Sequence, residues 1–549
     1  MKKIFLLITF CFLFFEFAFA QNPLVKQWDY RFGGDTSDVL TCFQQTNDEG
    51  YILAGYSLSD SNGTKTQTNW DTVCNPFCTL DYWIIKIDAN GNKQWDKSFG
   101  GFQNDWLFSI LQTADGGYLL GGYSESGIGG DKTQANWGYE DYWIVKTDSV
   151  GNKQWDKTFG GTMGDILYSL LQTSDGGYIL GGASYSQISG DKSQPTWSFS
   201  ADYWIIKTDS LGIKQWDRDL GGTSGDVLYC VVQTTDGGYI LGGESSSPIS
   251  GDKTQAAWSP YSDYWIIKTD SFGIKQWDKD FGGIFGELLG NVLQTNDGGY
   301  IISGQSNSPI SGDKTQSSWG NQDYWIVKTD SAGIKQWDKD FGALGTDELP
   351  KVISTSDGGY LFSGESYSIM GGDKTENNLG VEQTWILKTD SNGNKLWDKT
   401  ILTPGHDENG STIQTIDGCY IIANCTTGGI GGYKSQSNWD TTNSTNDYWL
   451  IKFCDSTLTS TTNIQSQISN FSIYPNPTKN ILTIQNPQFK ITNLKIFNTL
   501  GKEITISKNH VAKNKNETQL NISSLRSGIY LLRLTDEKGN FYSAKFVKE

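Results

Sequence analysis

The sequence DGGYLLGGYSESGIGGDKTQANWGYEDYWIVKTDSVGNKQW, at residues 115–155, sits at the centre of a unit that recurs about every 60 residues from near residue 21 to about residue 454. Such an array copies one supersecondary unit, which buries its apolar face only against its neighbours. Three markers recur seven times each. KQWD and its variants carry Trp28, Trp95, Trp155, Trp216, Trp277, Trp337 and Trp397. DGGY carries Tyr51, Tyr118, Tyr178, Tyr239, Tyr300, Tyr360 and Tyr420. DYW carries Trp83, Trp143, Trp204, Trp265, Trp325 and Trp449, with a degenerate QTW at Trp385. A weaker marker, (D)K(T/S)QxxW, places Trp70, Trp137, Trp197, Trp258, Trp319 and Trp439, with Leu379 in the sixth copy. The tryptophan content is therefore first a core signal of the repeat.

Within a unit the signals are for strands. DILYSLLQT is apolar and β-rich, TSDGGY is a tight turn and YILGG a second strand. A long polar loop leads to DYWIIKTD, which alternates as a third strand, and KQWDKxFGG is the fourth. Four antiparallel strands per unit, repeated seven times, is the pattern of a β-propeller, here labelled with strand A innermost and D outermost. The array opens with a lone KQWD strand and stops after the third strand of its last unit, DYWLIKF. If the N-terminal strand serves as strand D of blade 7, the ring closes and no sheet edge stays open. WD and kelch propellers are similar in architecture only, since these units are longer and lack the Gly-His signature.

The formal net charge is −18, which argues against a nucleic-acid partner. Residues 1–20 have the layout of a secretory signal: Lys2 and Lys3, an apolar core, and Ala18-Phe19-Ala20 before the expected mature start at Gln21. No later stretch is long and apolar enough to be a transmembrane segment, and a monomer is expected. Export permits disulfides. Cys74 and Cys78 share one loop, and Cys419 and Cys454 fall at neighbouring ends of an antiparallel pair. Cys42 and Cys230 share one repeat position and read as small buried residues.

Residues 456–470 shift to Ser, Thr, Gln and Asn and read as a linker. Tyr474-Pro475-Asn476-Pro477, Leu500-Gly501, the run from Leu525 to Gly528-Ile529-Tyr530, and Lys545-Phe546-Val547-Lys548 follow. This segment resembles the C-terminal sorting domain of cargo of the type IX secretion system of certain Gram-negative bacteria. The resemblance implies a small β-sandwich at residues 471–549, passage through an outer-membrane translocon, and removal of the domain with release or surface attachment. The expected layout is a signal peptide at 1–20, a seven-bladed propeller at 21–455, the linker, and the sorting domain.

Most catalytic patterns are missing. There are two histidines, His406 and His510, which disfavours a Ser–His–Asp set or a His-rich zinc site. No phosphate-cradling loop occurs, and the repeated DGGY is a hairpin. The run Asp148, Gly151, Trp155 resembles an Asp-box hairpin and reads as a structural turn. One constellation remains: an acid seven residues before the end of each strand A, Asp38, Asp105, Asp165, Asp226, Glu287, Asp347 and Asp407. These seven are candidates for a ring at one channel mouth, either holding Ca²⁺ or accepting backbone hydrogen bonds as blade-to-blade staples; a strictly sevenfold feature favours the staple. No cofactor is otherwise expected. The favoured function is a secreted or surface binding protein whose loop-rich face meets glycan or protein. The alternative is an extracellular polysaccharide hydrolase or lyase, which needs a break in the symmetry. The visible breaks are the Cys74/Cys78 loop, Glu382-Gln383-Thr384 before Trp385, and Gly432-Tyr433-Lys434. None of them assembles a recognisable acid–base pair in the sequence.

Overall fold

In the computed structural model the chain divides into two units, residues 1–456 and 457–549. The structure describes residues 24–455, except 72–78, 441 and 443. Of the second unit it describes 472–548, except 476–477, 486–490, 499–502, 505–510, 515–516, 527 and 537–540. The expected signal peptide, the linker, and Cys74 and Cys78 lie outside the described residues.

The first unit is a seven-bladed β-propeller of four-stranded antiparallel sheets. Blade 3 is representative: Asp165–Gln172, Tyr178–Ser184, Asp202–Thr208 and Lys214–Leu220 pair in sequence order. Strands B and C are buried on both faces, which is why YILGG and DYWII read as continuous apolar runs. Strand D alternates burial and exposure. Strands A of successive blades touch one another around the ring, blade 7 against blade 1 included. Blade 7 is built from Asp407–Gln414, Tyr420–Thr426 and Asp447–Asp455, and its outer strand is the N-terminal Leu24–Phe32, paired from Leu24 with Asp455 to Phe32 with Tyr448. The ring is thus closed by the two ends of the array. Disulfide-bonded Cys419 and Cys454, with Cα atoms 4.3 Å apart, fasten strands B and C of this blade. Cys42 and Cys230 are half-buried free thiols.

The markers form a single hydrogen-bonded joint. Each DYW or QTW tryptophan is fully buried and donates its indole N–H to the KQWD aspartate of its own blade: Trp204 to Asp217 at 3.1 Å, and Trp449 to Asp29 of the N-terminal strand, also at 3.1 Å. The same aspartate accepts the backbone N–H of the K(T/S) residue in the B–C loop, from Ser193 in blade 3 and from Ser435 in blade 7. A buried carboxylate is tolerated because it is fully engaged. Between blades, the DYW tyrosine hydroxyl donates to the tryptophan carbonyl of the next blade, as Tyr142 does to Trp204 at 3.0 Å, and Tyr448 repeats this across the closure to Trp83 at 3.2 Å. The DGGY turn needs its glycines: Gly116 has φ +84°, and a Cβ on Gly117 would sit 2.1 Å from the Thr147 carbonyl. The Asp148 carboxylate accepts the N–H groups of Val150 and Asn152, so that run is a turn.

The second unit has two antiparallel sheets. One contains Ser472–Tyr474, Ile481–Gln485, Glu517–Asn521 and Val511–Asn514; the other contains Glu503–Ile504, Ile491–Asn498, Gly528–Asp536 and Phe541–Lys548. Leu482, Ile484, Ile496, Leu520, Leu532 and Phe546 share one core between them, the arrangement of a β-sandwich.

Candidate functional site

All seven strand-start acids lie buried, at most 2% exposed. Asp165 accepts the Gly161 N–H at 2.7 Å and the Ser186 hydroxyl at 3.0 Å. Asp38, Asp105 and Asp226 repeat this with Gly34 and Ser59, Gly101 and Ser126, and Gly222 and Ser247. Glu287 accepts from Gly283 and Ser306, Asp347 from Ala343 and Ser368, and Asp407 from Thr403 and Gln383. Their own N–H groups reach the preceding blade, as Asp165 does to the Glu140 carbonyl at 2.6 Å. These carboxyls face the inside of the joint and do not open onto solvent.

Burial drives Asp38 and Asp105 up to about 7 and Asp165 and Asp226 up to about 6. Because these folded-state values exceed the unfolded value, their stabilisation is complete below about pH 4 and is lost as pH rises through about 6 to 7. The turn acids behave oppositely. Burial works to raise Asp115, but hydrogen bonds from Thr113, Lys146 and Gly117 outweigh it and hold the group at about 2; Asp175 and Asp236 are held there too. Their stabilisation is present above about pH 4 and lost below. Thermal denaturation should therefore give a melting temperature several degrees higher at about pH 5 than at about pH 8, with a collapse below about pH 3. A flat profile from about pH 5 to about pH 8 would contradict the burial argument.

Two solvent-reachable features stand out among the described residues of the propeller. The first is a repeated cleft on the rim between adjacent blades. Five loop tryptophans donate their indole N–H to an aspartate of the next blade: Trp70 to Asp131, Trp137 to Asp191, Trp197 to Asp252, Trp258 to Asp313 and Trp319 to Asp373, at 2.6–3.1 Å. That bond fixes the ring while leaving it 43–57% exposed. The cleft between blades 3 and 4 encloses about 860 Å³, with Gln194, Trp197, Arg218, Asp252 and Lys275 around it. Its counterpart between blades 1 and 2 encloses about 610 Å³, with Gln67, Trp70, Lys97, Asp131 and Lys153.

The second feature is the junction of blades 6 and 7, where the symmetry fails. Thr384 stands where other blades have the joint tyrosine, Leu379 replaces the rim tryptophan, and Tyr433 replaces its aspartate partner. Strand A of blades 6 and 7 carries a wider bulge, between Glu348 and Lys351 and between Glu408 and Ser411, where blades 1 to 5 shift only as between Leu167 and Ser169. Leu349 and Asn409 in these bulges have φ +50° and +59°, a conformation rare for leucine and one that asparagine tolerates. Glu348, Glu365 and Glu382 meet there, with one oxygen of each within 4.8 Å of the others. His406 pairs through Nε2 with Glu382 and lies 3.1 Å from Glu408. Burial and the neighbouring Glu382 push Glu365 up to about 8, and burial takes Glu382 to about 7. The sequence pointed to Glu382 but not to its partners. For Glu348 and Glu408 the signal was the doublets Asp347-Glu348 and Asp407-Glu408, where units one to five place an apolar residue after the acid.

Of the sorting-motif residues, Tyr474 ends a short strand and Pro475 follows it. Gly528 opens a strand in which Tyr530 stacks on Phe546 and donates to the Arg526 carbonyl at 2.9 Å. Lys545 and Lys548 belong to the last strand, Phe541–Lys548. Asn476, Pro477 and Gly501 lie outside the described residues. No helix among the described residues is long and apolar enough to cross a membrane.

No curated protein matches the chain. Among solved structures, a protein of unknown function from Dyadobacter fermentans DSM 18053 is similar over 79% of this chain and 99% of its own, at 10% identity and a TM-score of 0.38. An ulvan lyase, described as a new family of polysaccharide lyase, is similar over 72% and 92%, at 10% identity and a TM-score of 0.41. Synechocystis apocarotenoid oxygenase is similar over 72% and 87%, at 13% identity and a TM-score of 0.35. Residues 472–549 match the family described as the secretion system C-terminal sorting domain. The C-terminal unit is thus a sorting domain of the type IX secretion system, and the protein is exported by that system to the cell surface or the extracellular space.

Proposed function

We propose that the propeller is a secreted or surface-held glycan-binding protein that grips a polysaccharide along its rim. The observation that carries this reading is the recurrence of one cleft from blade junction to blade junction, each with a half-exposed tryptophan fixed by an aspartate of the next blade. A flat aromatic face suits the apolar face of a sugar ring, and the surrounding amides, lysines and carboxylates suit its hydroxyls. Opposite charges alternate in each cleft, as with Arg218, Asp252 and Lys275, which suits a neutral sugar better than a polyanion. Weak sites at fixed spacing gain avidity on a polymer with repeating units.

The test is a glycan array followed by retention on the polysaccharides it identifies. Wild type should be retained, Trp197→Ala weakened several-fold, and the triple variant at Trp137, Trp197 and Trp258 weakened by at least about tenfold more. Retention that is indifferent to all three tryptophans would end this reading. The alternative, an extracellular polysaccharide hydrolase or lyase, draws on the blade 6–7 junction, where Glu382, Glu365 and His406 supply the asymmetric acid–base groups a catalyst needs. Release of shortened or unsaturated products, abolished in Glu382→Gln, would favour it.

A further inference from the structure

We propose that Glu348, Glu365 and Glu382 bind a divalent cation of the hard, oxygen-seeking kind, Ca²⁺, at the junction of blades 6 and 7, with His406 and Glu408 as positioning residues. Carboxylate oxygens gathered within 4.8 Å of one another repel while ionised, unless a proton or a cation lies among them. The Oε1 atom of Glu382 is buried, in a residue 1% exposed, and has no hydrogen-bond partner. An acceptor shut away from water and left unpaired is unfavourable, and a cation among the three carboxylates would satisfy it.

The ligands are held in place from behind. The other oxygen of Glu382 pairs with His406 Nε2, whose ring stands edge-on to Tyr367 at 6.2 Å. Glu365 accepts the Asn409 N–H at 2.5 Å, a donor that the bulge in blade 7 turns toward it. Such outer contacts orient metal ligands. Glu348 and Glu365 are largely buried but keep part of their surface in solvent, so an ion can enter and keep waters in its remaining positions. An all-oxygen set open to several waters fits the six to eight ligands that calcium takes, and gives magnesium no dedicated octahedral cage. The site also has a history in the repeat. This junction lacks the tyrosine joint, and Glu365 pairs across the sheet with Thr384, the residue that replaces that tyrosine.

The test uses the secreted full-length chain, stripped with chelator, then titrated with CaCl₂ by calorimetry and melted with and without calcium. Binding in the range of about 10⁻⁴ to 10⁻³ M is expected, as for extracellular calcium modules. The melting temperature should rise by several degrees, and both responses should vanish in Glu382→Gln. Glu348→Gln, at a less buried position, serves if Glu382→Gln does not fold. Asp165→Asn, in a buried joint elsewhere in the ring, should keep the calcium response. No heat and no shift up to about 10 mM calcium, or a shift that survives in both glutamine variants, would overturn the site. Magnesium matching calcium in both readouts would overturn its assignment to calcium.

Discussion

Deleting Leu24–Phe32 should abolish the folded propeller, or lower its melting temperature by well over ten degrees, about as much as removing an internal strand. The deletion strips an edge of blade 7 and leaves the buried Trp449 indole N–H and the Ser435 N–H without the Asp29 carboxylate. It also removes the buried side chains of Leu24 and Phe32. Two apolar side chains at about 2 kcal/mol each and two orphaned donors at about 1–3 kcal/mol each sum to much of a typical stability. A milder version has an internal standard. Asp29→Ala should destabilise by about 2–4 kcal/mol, and by as much as Asp217→Ala, because the two aspartates play the same part in blades 7 and 3. Circular dichroism melts check both. A deletion that melts like wild type would show that the ring does not depend on its N-terminal strand.

Truncation after residue 471 should produce the other large effect, a near-complete loss of the protein from the cell surface and the medium. The removed residues are the matched sorting domain, with its own core built on Leu482, Ile496, Leu532 and Phe546. Among the described residues each unit has a core of its own, so the truncated chain should fold and collect in the periplasm, resistant to protease. Immunoblots of periplasmic, outer-membrane and culture fractions decide the matter. Normal surface appearance of the truncated protein would mean that the export signal lies elsewhere.

Much of this molecule is legible in the sequence because repetition amplifies weak signals. Seven copies of each marker set the blade count, and the unmatched KQWD at the start of the array marks the closing strand. What those markers do was less legible. KQWD read as a strand, yet its aspartate proves to be the acceptor for a tryptophan thirteen residues earlier, as Asp217 is for Trp204. That pairing depends on how strands C and D register across a hairpin, which no local pattern states. The strand-start acids were visible as a sevenfold set, but their burial depends on the Gly-Gly approach and on a serine from the B–C loop. The blade 6–7 cluster was harder still. Glu348, Glu365 and Glu382 come from strand A, strand B and the approach to strand C of blade 6, and only the folded sheet, bulged just after Glu348, brings their side chains to one place.

The pairing of Leu24–Phe32 with Asp447–Asp455 also sets an order of events in time. The strand that closes the ring is the first of the array to be made, and its partner is the last. Blades 1 to 6 can form as their residues arrive, but blade 7 must wait until the whole array has been delivered, and the N-terminal strand waits unpaired throughout. Bringing such distant segments together is the slow, entropically demanding step of a β-rich fold. The Cys419–Cys454 bond lies in the sheet of blade 7 and fastens its strands B and C. The sorting domain follows blade 7 along the chain, so the export address is synthesised only after every part needed to finish the cargo. The chain order therefore makes completion of the ring and readiness for export nearly simultaneous.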